Sequence, residues 1–294
     1  MKTRDQWQVN DDKELRPSHS PSRHSSAFTL IEMLVVITIL GILAGLAVPA
    51  LKNIGKSDSS IGASRQLLDD VGRARQKAIN NHTTVYMVFV STNFWLPPYT
   101  VTSTWTNNFN SQQLSLIANL VDKQLSGYTF VSQGAVGDQP GRHLWNYLEP
   151  WQSLPSGTFI SAQKFAGTNY INPLGVSGPA YGISQFHYTN NIPFPTATNI
   201  NINTAIWLPY IAFNYLGQLT IDGVNLYPYH EYIPLAQGNV NYGVDPATKS
   251  AQLTVVNPGD VTETPAANST GSSYNIIDID PLTGRATLLF QKLP

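Results

Sequence analysis

The chain has 294 residues, enough to bury a sizeable core in one or two domains, and no cysteine, which excludes disulfides, thiolate metal sites and a cysteine nucleophile. A formal net charge of -1 at pH 7 supplies no clustered basic face, so nucleic acid is excluded as a partner. Of the 35 charged side chains (17 Lys and Arg, 18 Asp and Glu), 19 precede Ala78, and none falls between Lys77 and Asp122 or between Lys164 and Asp222. A charged N-terminal region therefore gives way to a neutral-polar part expected to be β-rich.

Residues 1–27 read as a hydrophilic leader whose second half carries Arg16 and Arg23 and no acid. From Phe28 to Val48 follow 21 residues with Glu32 as their single charge. As a helix this run rises ~31 Å, which matches a hydrocarbon core of ~30 Å. Residues 28–49 are accordingly expected to span a membrane. A secretory signal peptide carries a shorter apolar region, although Ala47-Val48-Pro49-Ala50 resembles a signal-peptidase site and keeps that alternative open. The leader's cations and the large neutral part beyond the span favour an inside N-terminus, while Lys52 and Lys56 pull the other way.

Glu32 is the anomaly of this run. A carboxylate in a membrane costs roughly 2.5 to 3.5 kcal/mol at mid-span and less near an edge. One reading has it snorkel to the interface and gain roughly 0.3 to 1 kcal/mol from the positive end of its helix. However, Ala27-Phe28-Thr29-Leu30-Ile31-Glu32 ahead of an apolar run resembles the N-terminal signal of type IV prepilins and type II secretion pseudopilins. That resemblance implies cleavage of the Ala27–Phe28 bond by prepilin peptidase on the cytoplasmic side, N-methylation of Phe28, and an apolar stem left in place. Glu32 would then be the fifth mature residue and the assembly determinant, pairing with the α-ammonium of a neighbouring subunit. The new amine has a reference pKa near 7.7 to 8, and breaking a buried pair is costly even where forming it stabilises little. The family prefers Gly immediately before the cut, where this chain has Ala27.

Further along, Gly41 and Gly45 form a GxxxG element that lets helix backbones approach; incidental small residues are the alternative reading. Pro49 removes one helical hydrogen bond and is expected to kink or loosen the stem. Residues 50–81 read as the extramembrane stem. Leu51, Ile54, Ile61, Leu67 or Leu68, Val71, and Ala74 or Ala78 have roughly helical spacing, while Gly55 to Gly62 predict a break before a firmer helix over 63–80.

The head is assigned to 82–294. Thr83–Val90 predicts a strand directly after the stem helix. That order, followed by Thr158–Ser161, Ile211–Leu219 and Ile276–Leu288, resembles the H-type minor pseudopilins of the GspH/FimT kind. The resemblance implies an α+β fold, with a long N-terminal helix, membrane-spanning in its first half and amphipathic in its second, packed on a sandwich-like head. Residues 94–151 read as an insertion. Within it Leu114, Ile117, Val121 and Leu125 predict a helix capped by Ser111 and stopped at Gly127. The aromatic stretches Trp95–Tyr99 and Trp145–Trp151 read as packing in preference to contact loops.

For enzymology the chain shows no GxSxG elbow, HExxH, P-loop or Rossmann fingerprint. His230-Glu231 reads as a surface polar pair, and Asp280 to Gly284 as a hairpin turn in preference to a calcium loop. No catalytic residue, metal or cofactor is expected. The resemblance implies a non-enzymatic minor pseudopilin or pilin-like subunit of the bacterial inner membrane, with a cytoplasmic N-terminus and a periplasmic head. Its partners would be prepilin peptidase, other pilin or pseudopilin subunits, the inner-membrane assembly platform and the lipid bilayer, and after processing it would join a filament for protein secretion or fibre assembly. The rival is a membrane-anchored surface module, glycan-binding in kind, with an uncleaved span.

Overall fold

A computed structural model of the chain describes residues 29–94, 111–134, 144–166, 183–188, 192–194, 205–244, 246–247, 260–266 and 275–290. The fold is α+β, with an N-terminal helix followed by a part rich in β-sheet. The chain forms two compact units, Met1–Leu51 and Lys52–Pro294. Helix α1 covers Leu30–Asn81, and its residues from Lys52 onward belong to the second unit.

That part of α1 buries a narrow stripe. Ala63, Leu67, Val71, Ala74 and Ala78 are fully removed from water, at the four- and three-residue intervals that place side chains on one helix face. The expected break between Gly55 and Gly62 does not occur, since these residues are helical. Two polar ties offset the weak propensity there: Ser64 Oγ donates to the Ser60 carbonyl at 2.9 Å, and Asn275 Nδ2 reaches both Ser60 Oγ and Ser64 Oγ at 3.2 Å. The helix ends at His82, which takes a left-handed φ of 50°. His82 N–H bonds the Ile79 carbonyl and Thr83 N–H the Ala78 carbonyl, the paired bonds of a Schellman cap.

Strand β1 (Thr84–Phe89) follows at once and is central to the larger sheet. With β2 (Gly127–Gln133), β3 (Trp145–Tyr147), β4 (Gln152–Ser153), β8 (Tyr210–Phe213) and β9 (Leu219–Thr220) it forms, among the described residues, a six-stranded antiparallel sheet ordered β3-β2-β1-β8-β9, with β4 also on β2. Among the described residues the second sheet has five strands. Its order is β11 (Asp260–Glu263), β10 (Glu231–Asn241), β12 (Asn275–Ile279) and β13 (Ala286–Phe290), with β5 (Thr158–Ile160) also on β10. A short pair joins β6 (Ile192–Pro193) to β7 (Ala205–Ile206).

β1 is apolar at nearly every position because both its faces are covered. Val85, Met87 and Phe89 join α1's stripe in a core shared with Ile233 and Leu235 of β10 and Ile277 and Ile279 of β12. Tyr86, Val88 and Val90 face a second cluster with Ile117, Val121, Phe194 and Leu208. The segment read as an insertion supplies β2, paired with β1 from Thr84↔Gln133 to Phe89↔Tyr128, and also α2 (Ser111–Ala118). The helix expected over 111–127 is shorter. After α2 come a single 3-10 turn over Val121–Lys123 and Leu125 with φ 60°, where the chain folds back so tightly that a Cβ at Gly127 would collide with Lys123. Trp145 and Trp151 pack rather than protrude: Trp145 lies 5.2 Å from the Tyr86 ring and Trp151 6.0 Å from Phe194. Trp95–Tyr99 lie outside the described residues.

Polar contacts clamp α1 to the larger sheet. Buried Asp70 accepts hydrogen bonds from the Tyr128 hydroxyl and from Arg73, while Gln66 Nε2 donates to Tyr128 Oη at 2.7 Å and to the Ser153 carbonyl at 3.0 Å. Arg73 and Lys77 both reach Glu149, at 3.1 and 3.0 Å. Burial first, and then the bond to the Asp70 carboxylate, keep the Tyr128 phenol protonated.

The β12–β13 connection is the expected turn. Asp280 Oδ1 accepts the N–H groups of Leu282 (3.0 Å) and Thr283 (2.7 Å) and the Thr283 hydroxyl (2.8 Å). His230-Glu231 is split rather than jointly exposed: His230 meets Asp278 at the surface at 2.7 Å, whereas Glu231 is buried.

Replacing Leu67 by Ala is expected to lower the unfolding free energy by about 2–5 kcal/mol in urea titration, with Ile61→Ala, a half-exposed position, within about 0.5 kcal/mol of wild type. The hydrogen bonds from Thr283, backbone first, hold the Asp280 carboxyl below its ordinary value of 3.8. Because that pKa is depressed in the folded state, its stabilisation is present above the ordinary carboxylate range and lost as pH falls through the lower folded value. Acid titration of Asp280→Asn, which keeps the acceptor oxygen but cannot ionise, should therefore show a smaller loss of stability in that window.

Candidate assembly site

The start of α1 is built by Thr29. Its carbonyl accepts the Glu32 N–H at 3.1 Å and the Met33 N–H at 3.2 Å, and its Oγ1 also accepts from the Glu32 N–H at 3.3 Å. Thr29 is thus the N-cap and Glu32 the third helical residue, the positions of Ser/Thr and Glu in a capping box. The carboxylate sits in the first turn, where the helix dipole favours negative charge. Glu32 is exposed, and among the described residues no cation pairs with it. The sequence already held this cap as Thr-x-x-Glu ahead of an apolar run, and sequence reasoning passed over it.

Beyond Glu32 the helix has no polar face to offer water. Leu30 is 87 % exposed, Ile37 64 % and Ile42 60 %, and Met33 through Ile37 are exposed without interruption. An all-round apolar helix is stable only when lipid or protein covers it. The Thr38 hydroxyl, a polar group within the run, donates to the Leu34 carbonyl at 2.7 Å and so needs no outside partner. A Cβ placed at Gly41 or Gly45 would meet nothing within 4 Å, so this face of the helix is bare. Among the described residues no helix is long and apolar enough to cross a membrane. The described apolar side chains run from Leu30 to Gly45, a rise of about 24 Å, short of the ~30 Å hydrocarbon core.

Of the residues expected to carry processing and assembly, Glu32, Gly41 and Gly45 are described on α1, and Pro49 falls inside the helix rather than ending it. Ala27 and Phe28, the expected cleavage pair, lie outside the described residues.

Residues 22–48 match the model of the prokaryotic N-terminal methylation motif. No curated protein and no solved structure matches the chain. The motif supports a type IV prepilin-like protein, anchored in a membrane or associated with a filament. It implies processing by prepilin peptidase and assembly with other pilin subunits, and proteins bearing it are typically structural and non-enzymatic.

Losing an N-cap oxygen costs about 1 kcal/mol, so Thr29→Val should speed hydrogen exchange of the Glu32 amide about fivefold in micelles. Thr29→Ser should leave it at the wild-type rate.

Proposed function

We propose that the chain is a non-enzymatic minor pilin-like or pseudopilin-like subunit, cut between Ala27 and Phe28, methylated on Phe28, and assembled into a type II secretion pseudopilus or type IV pilus-like filament. The observation that carries this reading is the coincidence of the methylation motif with a capped helix that exposes one carboxylate in its first turn and apolar side chains all round. Cleavage creates an ammonium group four residues ahead of Glu32. Two such charges on neighbouring subunits relieve one another in a medium where neither is solvated, so each added subunit supplies the counter-charge of the last.

On this reading the full apolar run over 28–48 crosses the inner membrane, with the leader cytoplasmic and the head periplasmic. Gly41 and Gly45 let stems approach closely, and Pro49 loosens the stem at the membrane boundary. The assembly platform and the lipid bilayer are its further partners. Helix-then-strand order at Asn81–Thr84 supports placement with the H-type minor pseudopilins.

The test is to express the full chain with and without a prepilin peptidase and to determine the intact mass and first residue of the membrane form. The expected product begins at N-methylated Phe28, and Glu32→Ala is cut equally well but fails to co-purify with filament subunits. A chain still beginning at Met1 in the presence of active peptidase would overturn the proposal and leave the permanently anchored binding module as the reading to pursue.

A further inference from the structure

Lys164 lies in the single turn α3 (Gln163–Ala166) just after β5, and Glu231 opens β10, the strand to which β5 is bonded through Leu235↔Ile160. Both side chains are buried, Lys164 at 0 % and Glu231 at 2 % exposure. Their atoms Nζ and Oε1 stand 2.5 Å apart. Yet Oε1 has no aligned hydrogen bond among the described residues. An ion pair taken wholly out of water is repaid only when its geometry is good and its remaining polar atoms are satisfied. This pair lacks that geometry. Nζ also meets the Ser184 carbonyl at 2.6 Å and the Phe186 ring, 4.7 Å from its centroid, with Phe165 edge-on against Phe186, and the half-buried His187 lies near enough to interact electrostatically with both charges.

From this arrangement we infer that Lys164 and Glu231 are joined by an intramolecular isopeptide bond. The ammonium passes a proton to the carboxylate, giving a neutral amine and a neutral acid. The Nζ lone pair then attacks the carboxyl carbon, the nitrogen passes one of its two remaining protons to the carboxyl hydroxyl, and the C–O bond to that hydroxyl breaks, so that one water leaves and a neutral amide is left. Every atom is accounted for by the two side chains, with no oxidant, cofactor or activated co-reactant.

Three features favour the step. Burial pushes the Lys164 ammonium below its ordinary pKa, against the opposing pull of Glu231, which favours the nucleophilic amine. Fixed juxtaposition of reacting groups is equivalent to concentrations of roughly 10⁵–10⁸ M. The dry, aromatic surroundings give the expelled water no reason to return. The amide would close a loop from 164 to 231 that contains β6 to β9, so this part of the head could not unravel independently. The inference does not rest on the pilin-like reading.

The full chain, purified in detergent, denatured and digested with trypsin, decides the matter. No Lys or Arg other than Lys164 lies between His143 and Lys249, and trypsin does not cut after an acylated lysine. The expected product is one peptide, His143–Lys249, uncut at Lys164 and lighter than its sequence by one water. Separate peptides ending at Lys164 and Lys249, each at full mass, would overturn the inference. So would a water loss that fragmentation places at Asp222-Gly223, where a succinimide forms, with Lys164 still cleavable. Lys164→Arg keeps the cation but has no amine able to condense; it should give the two cut peptides at full mass, and an unchanged water loss in that variant would equally overturn the inference.

Discussion

Five side chains of α1, Ala63, Leu67, Val71, Ala74 and Ala78, are completely removed from water, and strands of both large sheets converge on them. Three are alanines, so the helix backbone comes close to the strands it covers and the stripe leaves no room for added volume. From this follow the continuous apolarity of β1, which has a covered face on each side, and the need for the Asp70–Tyr128 and Glu149 contacts that fix the helix along its flank. Without the helix, the apolar side chains of both sheets that converge on it would lose the surface that covers them.

The earlier residues of α1 obey the opposite rule. From Leu30 to Leu43 their apolar side chains are exposed on all sides, and of the polar groups among them only one has no partner among the described residues. Thr29 spends its hydroxyl on the cap and Thr38 returns its own to the helix, which leaves the Glu32 carboxylate. An apolar helix with one unsatisfied charge near its end is poorly suited to existence as a free monomer in water, and well suited to a lipid phase or a bundle of like helices.

Much of the fold was legible in the sequence where pattern and local chemistry agree. The helix-to-strand passage from Asn81 to Thr84 and the Asp280 turn follow from periodicity and turn residues, and the strand at Thr158–Ile160 was among the segments that carried the family resemblance. The stretch Gly55–Gly62 was misleading because part of the support at its end, the Asn275 contacts to Ser60 and Ser64, comes from more than 200 residues away, which no local window contains. Helix 111–127 was overextended for a similar reason: Leu125 is apolar and correctly spaced, but its spacing serves the core from a left-handed turn. At the candidate site Glu32, Gly41 and Gly45 were visible as exceptions within an apolar run. The Lys164–Glu231 pair was not, because a lysine and a glutamate 67 positions apart carry no signal until β5 and β10 are paired.

The turns at Asn214–Gly217 and Asp280–Gly284 meet backbone to backbone at their glycines, beside the Arg75 side chain of α1, whose Nε donates to the Thr283 carbonyl at 2.6 Å. A Cβ at Gly284 would collide with the Gly217 carbonyl, and Leu219 N–H reaches the Pro281 carbonyl at 2.9 Å. Asn214 and Asp280 each hold the backbone of their own turn, while the residues at the crests, Tyr215, Leu216 and Leu282, are exposed. Scaffold and display are thereby separated. Two glycines, two short polar residues and Arg75 carry the architecture, and the exposed crest side chains take no part in holding the strands beneath them.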